Sequence, residues 1–247
     1  MVSKNQIKLI TSLHQKKYRN VHGLFMAEGV KVVNELLSSG MKVHSIYVTE
    51  DHLIDLEAVK PTLISERDLK KISTLKTPNK VVAVFEIPTL KKIQEAGLIL
   101  VLDTIRDPGN LGTIIRLCDW FGVRDLVCSY ETVDCYNPKV VQASMGSLAR
   151  INVTYTKLEQ FLDSTDLSVY AAVMDGDNVY ETSLPASGIL VMGNEAIGIS
   201  KTVLGHVKNH IAIPRYGDLQ QTESLNVATA TAILLSEFRR TSTIIQK

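Results

Sequence analysis

Apolar residues arrive along this chain in short continuous blocks, each set between stretches that carry a helical period. In the first ninety residues, Ile7, Ile10 and Leu13–His14 recur at helical spacing and predict a helix over 3–19. Leu24–Ala27 reads as a short strand, Gly29–Leu37 as a helix stopped at Gly40, and Val43–Val48 as a strand. Ser65-Glu66-Arg67-Asp68 fits a capping box and opens a helix through Lys71. Val81–Phe85 is a continuous apolar strand. Pro88 and the polar stretch Lys91–Gly97 then interrupt the pattern.

The alternation resumes at the strand Leu98–Leu102. It continues through a helix at 110–120, a strand at Leu126–Cys128 and a helix opened by Asn137 with Pro138 at its first position. Strand Ile151–Val153 leads to a helix capped by Thr156 with Glu159. Strands at Ser168–Met174, Gly188–Met192 and His210–Ile213 precede a final helix from about Ser224. Continuous apolar strands between helices imply a parallel sheet covered on both faces. The expected fold class is therefore α/β in both parts, with a smaller domain over 1–92, a linker at 93–97 and a larger domain over 98–247. Leu225, Val227, Ala228, Ala230, Ala232, Ile233, Leu234, Leu235 and Phe238 put apolar residues nearly all round the last helix. Such a helix is buried on more than one side, which points to a subunit interface or to a sandwiched position within one subunit.

Composition narrows the class. Hydrophobic residues make up 45% and charged residues 21% of 247, as in soluble globular chains. The longest apolar run, Val169–Met174, is far shorter than the roughly 20 residues of a membrane span. No apolar block follows the N-terminal lysines, so no secretory signal is expected and the protein is read as intracellular. Cys118, Cys128 and Cys135 form no C-x-x-C pair, and His206 and His210 lack a third ligand, so neither a disulfide framework nor a metal site is expected. Net charge is only +1, but it is unevenly spread. Lys4, Lys8, Lys16, Lys17 and Arg19 fall in the first 27 residues with no acidic residue among them. That basic arm suits a phosphate backbone, although a solvated amphipathic helix would look the same.

Common catalytic signatures are missing. There is no G-x-G-x-x-G and no H-E-x-x-H. Gly193–Ser200 has Walker-like glycine spacing, but Ile199 stands where the phosphate-binding lysine must be, and Gln142–Gly146 lacks the first glycine of a nucleophile elbow. Three polar, glycine-bearing or helix-opening segments remain at strand ends, where open α/β sheets bind ligands. They are Asp107-Pro-Gly-Asn110-Leu-Gly-Thr113, Met192-Gly193-Asn194-Glu195, and Ile213-Pro214 followed by a polar loop and Ser224-Leu225-Asn226. Leu111, Ile114, Ile115 and Cys118 make one helical stripe, so Arg116 points away from the core, toward solvent or a ligand. Ser224 and Asn226 could equally be helix caps.

In that order and spacing, Asp107–Arg116, Gly193–Gly198 and Ile213-Pro214 … Ser224-Leu-Asn226-Val resemble the three motifs of the SpoU (TrmH-type) RNA ribose methyltransferases. Asn137–Gly146 resembles the segment between the family's first two motifs. Lys17-Tyr18-Arg19 … Gly29 resembles the small RNA-binding domain often fused in front. The resemblance implies a trefoil-knotted C-terminal domain, a homodimer built on it and a cytoplasmic enzyme. It also implies methyl transfer from S-adenosylmethionine to a ribose 2′-hydroxyl in structured RNA, ribosomal RNA being favoured over transfer RNA. Arg116, Asn110, Glu195, Ser224 and Asn226 would be the catalytic set. Met192, Gly193, Asn194, Ile213, Pro214 and Leu225 would hold the cofactor, and Lys16, Lys17 and Arg19 would meet RNA. A non-catalytic RNA-binding protein on the same fold and an RNA base methyltransferase stand as alternatives. The Arg215–Glu223 loop is longer than is usual in the family. Gln142 and Lys80 stand where relatives often carry Arg and Gly.

Overall fold

The Ser3 hydroxyl accepts from the Gln6 backbone while Gln6 Oε1 accepts from the Ser3 backbone at 2.8 Å, and this reciprocal cap starts the first helix. The computed structural model describes residues 2–54, 60–217 and 224–244. The expected single helix over 3–19 is two: α1 (Lys4–Ser12) and α2 (Lys16–His22). Thr11 and Ser12 turn their hydroxyls back onto α1 carbonyls, and Arg19 Nη1 donates to the Leu13 carbonyl at 2.8 Å. That carbonyl is thereby drawn out of the helical ladder, and the chain bends there.

The chain packs as two compact units. The first takes Met1–Thr89 together with Asp134–Arg150. After the two helices come β1 (Leu24–Glu28), α3 (Val30–Ser38), β2 (Val43–Val48), β3 (Thr62–Leu63), α4 (Glu66–Ile72) and β4 (Val81–Glu86). The sheet order is β1-β4-β2-β3, with β4 antiparallel to both neighbours and the two-residue β3, which no pattern predicted, parallel to β2. Ile10, Leu13, Met26, Leu69, Ile72, Val82 and Val84 share its core.

The second unit opens with β5 (Leu98–Leu102), α5 (Pro108–Trp120) and β6 (Asp125–Cys128). The chain then leaves it. Residues 134–150, which the sequence places in the C-terminal domain, pack into the first unit instead, with α6 (Pro138–Ser144) and a single 3₁₀ turn at Ser147–Ala149. The rings of Phe25 and Tyr136 lie 4.8 Å apart, and burial pushes the Tyr136 hydroxyl pKa well up. A Cβ on Gly146 would sit 2.3 Å from that of Glu35, so only glycine lets the segment seat against α3. Asp134 receives Arg19 Nε at 2.9 Å.

β7 (Asn152–Tyr155), α7 (Leu158–Asp163), β8 (Val169–Asn178), β9 (Gly188–Met192), α8 (Lys201–Leu204), β10 (Asn209–Ala212) and α9 (Val227–Ile244) complete the second unit. Its six strands run β10-β8-β9-β5-β6-β7, and every pairing is parallel. β5, β6 and β9 are buried throughout, as continuous apolar strands with both faces covered must be. β10 pairs with Tyr170 and Ala171 and then with Asp177 and Asn178, skipping the residues between. There the His210–Ile211 backbone comes so close to Gly176 that a Cβ would stand 2.6 Å from the Ile211 nitrogen. The helix expected to be capped by Thr156 is capped at Lys157 without a side-chain bond. Cys118, Cys128 and Cys135 are buried, and burial drives the Cys118 pKa far up. On α9, Thr231, Leu234, Leu235 and Phe238 face inward, while Arg239 Nε binds the Phe121 carbonyl at 2.6 Å and fastens α9 to the end of α5.

Candidate active site

α5 begins where Asp107 Oδ1 accepts from the Asn110 backbone at 2.8 Å, with Pro108 at the first helical position. Leu111, Ile114, Ile115 and Cys118 are fully buried, so the stripe read from the sequence is the core face. Arg116 stands on the opposite side, exposed, with no hydrogen bond or ion pair to any described residue.

Asn110 is the joint of the site. Its Nδ2 donates to Glu195 Oε1, and its Oδ1 accepts from Asn226 Nδ2 at 2.9 Å. The two ends of one amide are thus committed to two different motifs, which fixes the amide's orientation. Asn226 in turn uses Oδ1 to accept from the backbones of Ala228 at 3.0 Å and Thr229 at 3.3 Å. It is therefore both the N-cap of α9 and a site residue, so the cap and ligand readings of Asn226 are compatible. Ser224 is not brought into this chain: it is exposed and makes no hydrogen bond among the described residues.

The loop after β9 is closed on itself. The Asn194 and Gly198 backbones exchange hydrogen bonds at 3.0 and 2.8 Å. A Cβ on Gly193 would lie 2.3 Å from the Gly198 carbonyl carbon and the Ile199 nitrogen, so no other residue fits. The Asn194 side chain is spent on the loop's shape, accepting from the Ala196 backbone at 2.9 Å and donating to the Thr104 carbonyl at 2.9 Å.

Sequence reasoning missed the pair beneath that loop. Asp103, 4% exposed, accepts from the Ser200 backbone at 2.7 Å and from the Thr104 hydroxyl at 2.9 Å. Thr104 has φ 60, a conformation that a β-branched residue adopts only when its surroundings hold it there. Ser129 Oγ, accepting from the Thr104 backbone at 3.0 Å, and Asn194 supply that hold. The available signal was a carboxylate placed directly after a fully apolar strand.

Met192 ends β9, level with Leu102 at the end of β5, and is buried. Ile213 and Pro214 follow β10 and are half-buried, and Leu225, just before the α9 cap, is 46% exposed. The carboxyl ends of these parallel strands thus present glycine-loop backbone and accessible apolar side chains, a donor set suited to an adenosyl group and a thioether-like chain. Among the described residues, no three His, Cys, Asp or Glu side chains are grouped to hold a metal ion. Residues 218–223, most of the long loop noted in the sequence, lie outside the described residues.

Lys16 and Lys17 are exposed on α2. Arg19, expected beside them on an RNA-facing surface, is 2% exposed and engaged with Asp134 and Leu13. It cannot reach a phosphate from there. At position 19 the helical turn points inward, whereas 16 and 17 point outward.

Comparison with known proteins agrees with this arrangement. The profile of the MRM3-like substrate binding domain matches residues 4–83. The 23S rRNA (guanosine(2553)-2′-O)-methyltransferase RlmP of Bacillus subtilis is 34% identical over 96% of this chain and 97% of its own length. A protein of Porphyromonas gingivalis assigned to the TrmH family of RNA methyltransferases superposes with a TM-score of 0.88 at 40% identity, over 97% of this chain and 99% of that one. The AdoMet-bound rRNA methyltransferase of Sinorhizobium meliloti gives 0.84 at 30% identity, over 97% of each chain. The profile of the SpoU rRNA Methylase family matches residues 97–236, the span that carries all three hydrogen-bonded motifs, and the chain belongs to that family.

Proposed function

We propose that this protein transfers a methyl group from S-adenosylmethionine to a ribose 2′-hydroxyl of ribosomal RNA. The observation that carries the reading is the chain Glu195–Asn110–Asn226, which ties the three motifs together on the helix that also carries the exposed Arg116. When bound, S-adenosylmethionine supplies a methyl group already activated by its sulfonium, so the protein's work is to bind, align and favour a weak nucleophile. Backbone at Met192, Gly193 and Asn194, with Ile213, Pro214 and Leu225, would hold it. A guanidinium is a poor general base, so the role given to Arg116 is that of a clamp and not of a proton acceptor. It holds the target phosphate and offsets the charge that grows on the 2′-oxygen, whose proton passes to water. Asn110, Glu195 and Asn226 set the spacing between cofactor loop and Arg116. The exposed Ser224 would act only against bound RNA.

The full chain incubated with methyl-tritiated S-adenosylmethionine and a ribosomal RNA transcript should place label in the RNA at nucleotides whose 3′ bonds resist alkali, the mark of a blocked 2′-hydroxyl. Label in alkali-sensitive nucleotides would mean base methylation instead. Gly193→Ala should weaken cofactor binding by about tenfold in calorimetry, because the methyl group forces the backbone of Gly198 and Ile199 to shift.

The all-parallel strand order β10-β8-β9-β5-β6-β7 is compatible with the knotted path that the family resemblance implies. A homodimer through the second unit is supported by the half-exposed Ala230, Ala232 and Ile233 of α9 and by Trp120, 84% exposed at the end of α5. A cytoplasmic location is supported by the bacterial relative RlmP, whose named substrate is 23S rRNA.

A further inference from the structure

We propose that the groove between α1 and α2 is a seat for one unpaired base of the RNA, stacked on Tyr18. The proposal rests on the RNA reading above and adds to it a place and a kind of nucleotide. The groove is open and offers about 510 Å³. Tyr18 lines it and stays 37% exposed, and His22, one turn on, also lines it with its ring 19° from parallel and 6.5 Å away. Tyr18 thus keeps about a third of its surface open to water, and His22 is exposed beside it on the same short helix. A base would cover them.

The polar lining fits the same ligand. Thr11 and Ser12 have turned their hydroxyls to the carbonyls of Ile7 at 2.8 Å and Leu9 at 2.6 Å. The side-chain amides of Asn5 and Gln15 carry no hydrogen bond to described residues, and each offers a donor and an acceptor, as a base edge requires. Lys8 lines the groove, and Lys17 Nζ lies 5.9 Å from the centre of the Tyr18 ring, so cations stand near the seat for the adjoining phosphates. No acidic residue precedes Glu28 in the sequence to repel them. Paired bases hide their faces in the stack, so an aromatic platform of this kind selects single-stranded RNA.

The test uses the full chain and two fluorescent RNAs of equal length, one single-stranded and one duplex, each carrying 2-aminopurine. Wild type should favour the single strand and quench its 2-aminopurine. Tyr18→Ala should lose the quenching and bind the single strand about tenfold more weakly, the size of one stacked base, with cofactor affinity unchanged as the check on folding. Tyr18→Phe should behave as wild type. Lys8→Ala should weaken both RNAs alike and flatten the salt dependence. If Tyr18→Ala binds and quenches as wild type does, or if polyglutamate displaces both RNAs equally, the seat is overturned while the RNA reading stands or falls separately. Failure of wild type to bind either RNA would remove the RNA reading as well.

Discussion

Arg116→Ala is expected to lower methyl transfer to RNA by about 100- to 1000-fold while leaving S-adenosylmethionine affinity essentially unchanged. The expected size is that of one charge-stabilising donor removed from a preorganised site. The split between the two readouts follows from position. Arg116 is on the exposed side of α5, away from the buried stripe, and makes no hydrogen bond or ion pair with the cofactor-loop residues Gly193–Gly198. Removing it should therefore cost neither stability nor the cofactor pocket. Arg116→Lys keeps the charge but loses the planar fork, and should recover part of the rate. Calorimetry with S-adenosylmethionine and a tritium-transfer assay read the two effects apart. A large loss of cofactor affinity in Arg116→Ala would contradict the assignment, and so would a rate within a few-fold of wild type.

The second large effect is on stability. Arg19→Met should destabilise the protein by about 3–5 kcal/mol in urea unfolding, because it leaves the Asp134 carboxylate in a nearly closed environment without its cation. The Leu13 carbonyl also loses a donor. The double variant Arg19→Met with Asp134→Leu should regain much of the loss, since the uncompensated charge is then gone. By contrast, Lys16→Ala and Lys17→Ala sit on the exposed face and should leave stability within about 0.5 kcal/mol while reducing RNA affinity. If Arg19→Met were as stable as wild type but deficient in RNA binding, the buried-pair description would be wrong.

Arg19 also marks where reading the sequence alone reaches its limit. Composition around it is uniformly basic, and nothing local separates it from Lys16 and Lys17. Its partner is 115 positions away along the chain. The break between α1 and α2 has the same origin, since the bond that frees the Leu13 carbonyl is made by that same buried guanidinium. Local signals fared differently. Apolar runs at β5, β6 and β9 were strands because a parallel sheet covered on both faces tolerates little else, and the stripe on α5 placed Arg116 outward by helical geometry alone. Asn110, Glu195 and Asn226 were legible as parts of three motifs, but their mutual bonding was not, because periodicity carries no distances. Asp103 and Thr104 went unseen since a strained backbone angle leaves no mark in residue order. Thr156 looked like a cap by its spacing to Glu159, yet strand β7 and the turn after it carry the chain one residue further before α7 begins.

The excursion of Asp134–Arg150 into the first unit has a bearing on how the protein is made. During synthesis, Met1–Thr89 emerges first but lacks the segment that supplies Asp134 to Arg19, Tyr136 to Phe25 and Gly146 to α3. At roughly 5–20 residues per second, that segment follows several seconds later, after β5, α5 and β6 of the second unit have already left the ribosome. The first unit therefore cannot close until Arg150 has been made, although Met1–Thr89 is available long before. A nascent chain paused between Thr89 and Asp134 would hold an N-terminal layer still open where that segment seats, so the order of synthesis delays the first unit's closure until a stretch of the second has been made.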